Sequence, residues 1–290
     1  LVIKICSLAA VIGFLSMGGC SRPSKPLVVG SRLSVENSIS GEILAQHIRT
    51  KLGVPVEMLR GMMGALSAHQ ALLTGEIDLY AEDAGSAYYE IFQLPASKDP
   101  DIIISRVPLE YQKQKIRWAT PLGYPVRYVV AAAAGKVKES TLSQLAEAGS
   151  PMAISSTFEF RDRLDGFAAM TSAYNLNFSG APRIVAPDLV AGHLTETAPQ
   201  IAVIADTDPV LLDGRIKVLE DDRRVFVPYP VAVVVRERTL ESHPKLEGAL
   251  KSLEGKLSLE TIRTLSNSVK TQGKTAAVAA AEFLQRSGVK

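Results

Sequence analysis

Short apolar runs alternate with segments of helical period along most of the chain. "PLVVGS" reads as a strand, the segment after it places Ile39, Ile43, Leu44 and Ile48 on one helical face, and "VPVEML" reads as a second strand. A helix over Ala65 to Thr74 leads through Gly75 into "EIDLY", and the turn "YAEDAGSAYY" opens a helix carrying Tyr88, Ile91 and Phe92. From Trp118 the pattern changes: "WATPLGYPVRYVVAAAA" is extended and broken by prolines, and "RVFVPYPVAVVVRE" has the same character. Between these two stretches lie a strand, "SPMAISS", a helix, "FRDRLDGFAAMTSAYNL", and a strand, "QIAVIAD". Ala- and Leu-rich helices follow, with Pro244 and Ser258 placed as helix starts. The alternation predicts an α/β protein with largely parallel sheets. Two extended segments flanking an inserted α/β portion predict two lobes joined by two crossing hinge strands. Lobe 1 is expected over 27–125 and 229–290, lobe 2 over 126–228, with a ligand in the cleft between them.

The first twenty residues do not fit that alternation. Lys4 precedes an apolar run from Ile5 to Leu15, about 11 residues and so short of the ~20 a spanning helix needs, and residues 1–20 read as a secretion signal. "MGGC" resembles a lipobox, which implies a lipid on Cys20 and an anchored mature protein; ordinary cleavage near Gly19 is the alternative. Residues 21–26, "SRPSKP", read as a linker. The expected location is the periplasm or cell surface. The two cysteines are Cys6 and Cys20, so the mature chain forms no internal disulfide and its core must stabilise it. With 32 Lys plus Arg against 30 Asp plus Glu there is no basic field for nucleic acid, and a monomer is expected.

Chemistry is weakly supported. His47, His69, His193 and His243 have no neighbouring ligand at metal spacing, so neither metal nor cofactor is expected. "RGMMGALS" lacks the lysine of a phosphate loop, and Ser155 and Ser156 have no base close in sequence. The Asp221-Asp222 pair beside Arg223-Arg224 reads as a solvated charged turn, and Asp83 as a helix cap. No enzyme is expected.

Several segments together resemble the substrate-binding proteins of glycine betaine, choline and related quaternary-amine ABC transporters. They are "VGSRLSVENSISGEILAQ", "ALLTGEIDLYAEDAGSA", "WATPLGYPVRYVVA", "TFEFRDRLDGF", "LEDDRRVFVPYPVAVVVR" and the closing Ala-rich helix, in the family's order over nearly the whole mature chain. The resemblance implies a two-lobed, type II-like periplasmic binding fold that presents a small ligand to an ABC permease. It also implies that a ligand carboxylate is held by Arg32, Ser86 and Arg163, since Arg offers paired donors in a fixed fork.

The family's other end is a box of Tyr rings that holds a trimethylammonium group by cation–π attraction. The resemblance carries two of those rings onto Tyr128 and Tyr229. At the other two places it puts Asp83 and Asp206, with Asp208 the alternative to Asp206. A carboxylate is a poor wall for a group without N–H donors and a good partner for one that has them. The expected ligand is a small cationic or zwitterionic amine. An N–H cation such as an amino acid is favoured by the two acids, and glycine betaine, choline or a close relative by the two rings. A membrane-tethered sensor of the same fold is the alternative role.

Overall fold

The computed structural model describes residues 25–97, 99–195 and 200–289. The secretion signal and Cys20 lie outside the described residues. Strand β1 (Leu27–Arg32) leads into helix α1 (Val35–Leu52), whose Ser34 cap accepts the Asn37 N–H at 3.0 Å. The predicted face of α1, Ile39, Ile43, Leu44 and Ile48, is buried against the sheet. Strand β2 (Val56–Met62), helix α2 (Gly64–Thr74) and strand β3 (Leu79–Asp83) follow. A short helix α3 (Ala84–Ser86) runs into a π-helical turn, Ala87–Ile91, and α4 (Pro100–Lys113) leads to the long strand β4 (Ile116–Val126).

After Arg127 the chain enters the second lobe with β5 (Tyr128–Ala133). There follow α5 (Leu142–Ala148), β6 (Ala153–Ser156), α6 (Phe158–Asp162), α7 (Phe167–Tyr174), β7 (Arg183–Ile184), α8 (Pro187–Val190), β8 (Gln200–Ala205) and β9 (Ile216–Leu219). Strand β10 (Tyr229–Arg236) returns to the first lobe, where α9 (Glu237–Ser242), α10 (Lys245–Lys251), α11 (Leu259–Lys270) and α12 (Ala276–Arg286) complete it. Ser258 caps α11 by accepting the Thr261 N–H at 3.1 Å.

The result is an α/β protein of two lobes, each built on a five-stranded sheet. Strand order is β2-β1-β3-β10-β4 in one sheet and β7-β6-β8-β5-β9 in the other. Both sheets are mixed where largely parallel ones were expected. In the first, β1 pairs in parallel with β2 and β3, while β10 is antiparallel to β3 and β4. In the second, β6 is parallel to β7 and β8, while β5 is antiparallel to β8 and β9. Apart from β5 and β6, strands joined through helices within a lobe run parallel. Antiparallel pairing enters each sheet with the strands that cross between lobes.

Only one crossing is continuous strand. The first runs from β4 into β5 with a break at Arg127 alone. The second was expected to be extended from Arg224 onward, yet it is irregular up to Pro228. Here the Asp221 carboxylate accepts the N–H groups of Val225 at 3.0 Å and Phe226 at 2.7 Å, so those donors are spent on a turn, and Pro228 has none to give.

The single helix expected over "FRDRLDGFAAMTSAYNL" is also broken. Arg163 stands in an extended conformation, φ −68° and ψ 144°, between α6 and α7. Gly166 restarts the helix so close to α6 that a Cβ there would lie 2.0 Å from the Phe160 carbonyl oxygen. His47 is buried with Nε2 2.9 Å from the Ala249 carbonyl oxygen, and His69 packs on Phe92 and Tyr111, so both belong to the core. Among the described residues no helix is long and apolar enough to cross a membrane.

Because the obstacle at Gly166 is backbone, Gly166→Ala should force α6 and α7 apart. We expect a loss of about 1–3 kcal/mol in urea unfolding. A midpoint equal to that of the unmodified chain would contradict the close approach.

Candidate functional site

The cleft between the lobes is lined from both sides, by Arg32, Asp83, Ser86 and Glu90 of the first and by Tyr128, Thr157, Glu159 and Arg163 of the second, with Tyr229 between them. Local backbone sets this arrangement. Arg32 ends β1, Asp83 ends β3 and caps α3, and Arg163 projects from the break between two helices. Gly85 permits the closest approach. A Cβ on it would lie 2.3 Å from the Tyr229 ring and 2.7 Å from an Arg163 nitrogen.

Arg163 crosses the cleft. Its Nε and Nη2 grip Asp165 as a fork, both at 2.8 Å, while Nη1 reaches the other lobe at Ser86 Oγ, 3.2 Å, and Glu90 Oε1, 3.4 Å. The guanidinium carbon lies 5.3 Å from the centroid of Tyr128, 5.5 Å from Tyr89 and 5.7 Å from Tyr229. Its side chain is only 4% exposed, so these cation–π contacts act with little solvent screening. The Tyr229 hydroxyl donates to Asp165 at 2.8 Å, which fixes the ring and the acid together. Burial opposes the charge on Arg163, but its acidic and aromatic surroundings outweigh this and hold the guanidinium more firmly protonated than usual.

Arg32 is held in a second acidic cluster. Its Nη2 pairs with Glu82 at 3.1 Å and Asp83 at 3.0 Å, and Nη1 donates to Ser86 Oγ at 3.3 Å. Ser86 therefore accepts from both arginines, and its own hydroxyl also bonds to the Asp83 carboxylate. The Arg32 Nε is buried with no hydrogen-bond partner. Asp83 has both oxygens engaged, Oδ1 by the Ser86 N–H at 2.7 Å and Oδ2 by Arg32. Burial pushes its carboxyl up, but the two guanidiniums and that N–H outweigh the push and leave it below the usual range.

Glu82 lies behind Asp83 and is fully buried, accepting from the Tyr80 hydroxyl at 3.0 Å and the Asp83 N–H at 2.9 Å. Burial pushes its carboxyl up to about 8, despite the opposing pull of Arg32.

Six of the seven residues expected at the site line the cleft: Arg32, Asp83, Ser86, Tyr128, Arg163 and Tyr229. Asp206 does not. Its carboxylate accepts the Arg127 N–H at 3.2 Å and pairs with the Arg127 side chain at 3.4 Å, while its own N–H donates to the Arg127 carbonyl at 2.9 Å. It staples the hinge peptide, and Asp208 lines the cleft in its place. Sequence reasoning missed Tyr89, Glu90 and Asp165. Tyr89 is the last residue of the turn "YAEDAGSAYY" itself, and Asp165 stands in the "RLDG" that supplied Arg163, so proximity in sequence was the available signal.

With this geometry in place, similarity to known proteins identifies the family. The model of the substrate binding domain of ABC-type glycine betaine transport systems matches residues 25–286. The chain belongs to that family. It is 28% identical over 272 residues to the ergothioneine transport permease/ergothioneine binding protein EgtU of Helicobacter pylori, covering 91% of this chain and 48% of that one. It thus spans about half the length of that relative. It is 25% identical to the carnitine transport binding protein OpuCC of Listeria monocytogenes, covering 98% of this chain and 96% of that protein. Among solved structures, that of a glycine betaine/carnitine/choline ABC transporter protein superposes with a TM-score of 0.76 at 22% identity, covering 91% of this chain and 99% of that one. A choline binding protein in complex with choline superposes with a TM-score of 0.62 at 12% identity, covering 91% and 89%. This chain is a substrate-binding protein of the ABC-importer type, not an enzyme, and proteins of that class act outside the cytoplasm.

The buried Glu82 gives the site a pH signature. Its folded-state value of about 8 exceeds the ordinary 4.5, so the folded chain keeps a proton that the unfolded chain gives up. The contribution of this group to stability is therefore present below about pH 4.5 and is lost as pH rises toward 8. Glu82→Gln should fall less in melting temperature between pH 5 and pH 8 than the unmodified chain does. Parallel pH profiles would show that Glu82 is ionised throughout.

Proposed function

We propose that the chain is the receptor of an ABC importer for a small zwitterionic amine of the betaine class, as its similarity to carnitine and glycine betaine binding proteins suggests, and that it delivers this ligand to a membrane permease. The observation that carries this reading is the convergence of Tyr89, Tyr128 and Tyr229 on one organic cation, with Ser86 and Arg32 beside it. The cation at that place is the guanidinium of Arg163. A trimethylammonium head is attracted to the same ring faces, so ligand head and Arg163 compete for them. Arg163 then turns its Nη1 toward the ligand carboxylate, joined by the hydroxyl of Ser86 and the unpartnered Nε of Arg32. Since Asp83 is already committed to Arg32 and to the Ser86 N–H, it offers little to an N–H cation. This moves the balance from an amino acid toward a betaine.

Calorimetric titration with glycine betaine, carnitine, ergothioneine and glycine tests the reading. The methylated ligands should bind and glycine should bind at least tenfold more weakly. Tyr89→Leu should weaken the methylated ligands by about tenfold, or 1.4 kcal/mol, in line with roughly 0.5–2 kcal/mol per ring. Glycine binding as well as its trimethylated counterpart would return the reading to an N–H cation.

The same proposal places a lipid on Cys20, on the strength of "MGGC" closing a signal-length apolar run. Cys20→Ala should abolish acylation, read by mass spectrometry of membrane-fraction protein, and leave ligand affinity unchanged. Unmodified protein carrying no acyl group would refute the anchor.

A further inference from the structure

The cleft continues beyond the tyrosine rings to the N-terminus of α1, the loop after β8 and the last turns of α11. Glu36, Thr207, Asp208, Ser266 and Lys270 line this part, against apolar walls of Pro187, Val190 and Pro209. Ser266 is the informative residue. It is 1% exposed, and its Oγ is buried without a hydrogen-bond partner. A helical serine ordinarily turns its hydroxyl back to a carbonyl of the preceding turn, as Ser268 does to Leu265 at 2.7 Å. Ser266 forgoes that bond on the face that borders the cleft, and an unpaired buried hydroxyl costs stability.

The charged groups around it already have partners. Lys270 Nζ lies 3.1 Å from Asp208 and 3.8 Å from Asp188. The Glu36 carboxyl accepts the Tyr124 hydroxyl at 2.9 Å and the Thr207 hydroxyl at 2.7 Å, and burial raises it above its ordinary range. A charged ligand group would meet an already satisfied opposite charge here. An uncharged donor and acceptor between apolar walls would meet a free hydroxyl.

We propose that this region is a second subsite, centred on Ser266, which takes an uncharged hydrogen-bonding arm of the ligand: a hydroxyl, an amide or an azole ring. The proposal rests on the betaine reading above and extends it, because glycine betaine has no such arm and leaves Ser266 unpaired. The preferred ligands are therefore betaines with a polar substituent. Ser266 selects among betaines, while the tyrosine rings and the two arginines bind what all of them share.

Calorimetric titration of the unmodified chain and of Ser266→Ala with glycine betaine, carnitine and ergothioneine decides the matter. The unmodified chain should bind at least one arm-bearing ligand more tightly than glycine betaine. Ser266→Ala should weaken that ligand by about threefold to tenfold, the size of one net hydrogen bond, and leave glycine betaine unchanged. Its melting temperature without ligand should be equal or higher, since the deleted hydroxyl has no partner to lose. An equal loss for all three ligands would make Ser266 a structural residue and overturn the subsite while the betaine reading stands. So would unchanged affinity for carnitine and ergothioneine alike. If the unmodified chain binds none of the three, the betaine reading fails and the subsite fails with it.

Discussion

The organisation of the cleft depends on one buried guanidinium. Arg163 leaves the second lobe at a helix break, is gripped by Asp165 within the same lobe, and ends against Ser86 and Glu90 of the first. A buried charge is tolerated only where its hydrogen-bond donors are satisfied. Asp165, Ser86 and Glu90 provide this, and three tyrosine faces surround the cation at 5.3–5.7 Å. The same contacts that make Arg163 tolerable in the interior draw the lobes together. Removal of Asp165 would leave that charge half-paired and release the Tyr229 hydroxyl as well, so the acid holds both of its neighbours in place.

Much of this was legible in the sequence, for reasons that differ by element. The buried face of α1 followed from the spacing of Ile39, Ile43, Leu44 and Ile48, a local pattern that needs no tertiary information. The two-lobe organisation followed from two proline-broken extended stretches. Strand direction did not follow, because hydrophobic patterning reports which face is buried and not which way a neighbour runs. The helix break at Arg163 was missed for a related reason: "FRDRLDGFAAM" keeps helical periodicity across the break, and only the contact between Gly166 and the Phe160 carbonyl reveals it.

At the site, residue types were easier to read than their partners. Arg32, Ser86, Arg163, Tyr128 and Tyr229 were found by motif position and do line the cleft. Pairing is a property of three-dimensional distance, and there the sequence misleads. Asp83 caps α3 and lines the cleft, as its position suggested, but its second oxygen is committed to Arg32 rather than open to a ligand. Asp206 resembled its counterpart but braces the peptide at Arg127, where the chain passes between lobes. The third ring, Tyr89, was hidden by its neighbour Tyr88 and by an unforeseen π-helical turn, Ala87–Ile91. Such turns insert a residue into the helical ladder and recur at functional sites.

The acids beside Arg32 and Arg163 change what binding must overcome. A bare arginine pair would attract any small anion, whereas here Asp165 and Asp83 offset both charges. A ligand carrying only a carboxylate gains little over these built-in partners. One carrying only a cation must displace a guanidinium that is already paired and ringed by tyrosines. A zwitterion resolves both at once, because its cationic end takes the rings while its carboxylate takes the donors of Arg163 and Ser86 that such a movement frees. On the betaine reading, selectivity for paired opposite charges follows from the protein carrying, in Arg163 and Asp165, a zwitterionic pair of its own at the same place.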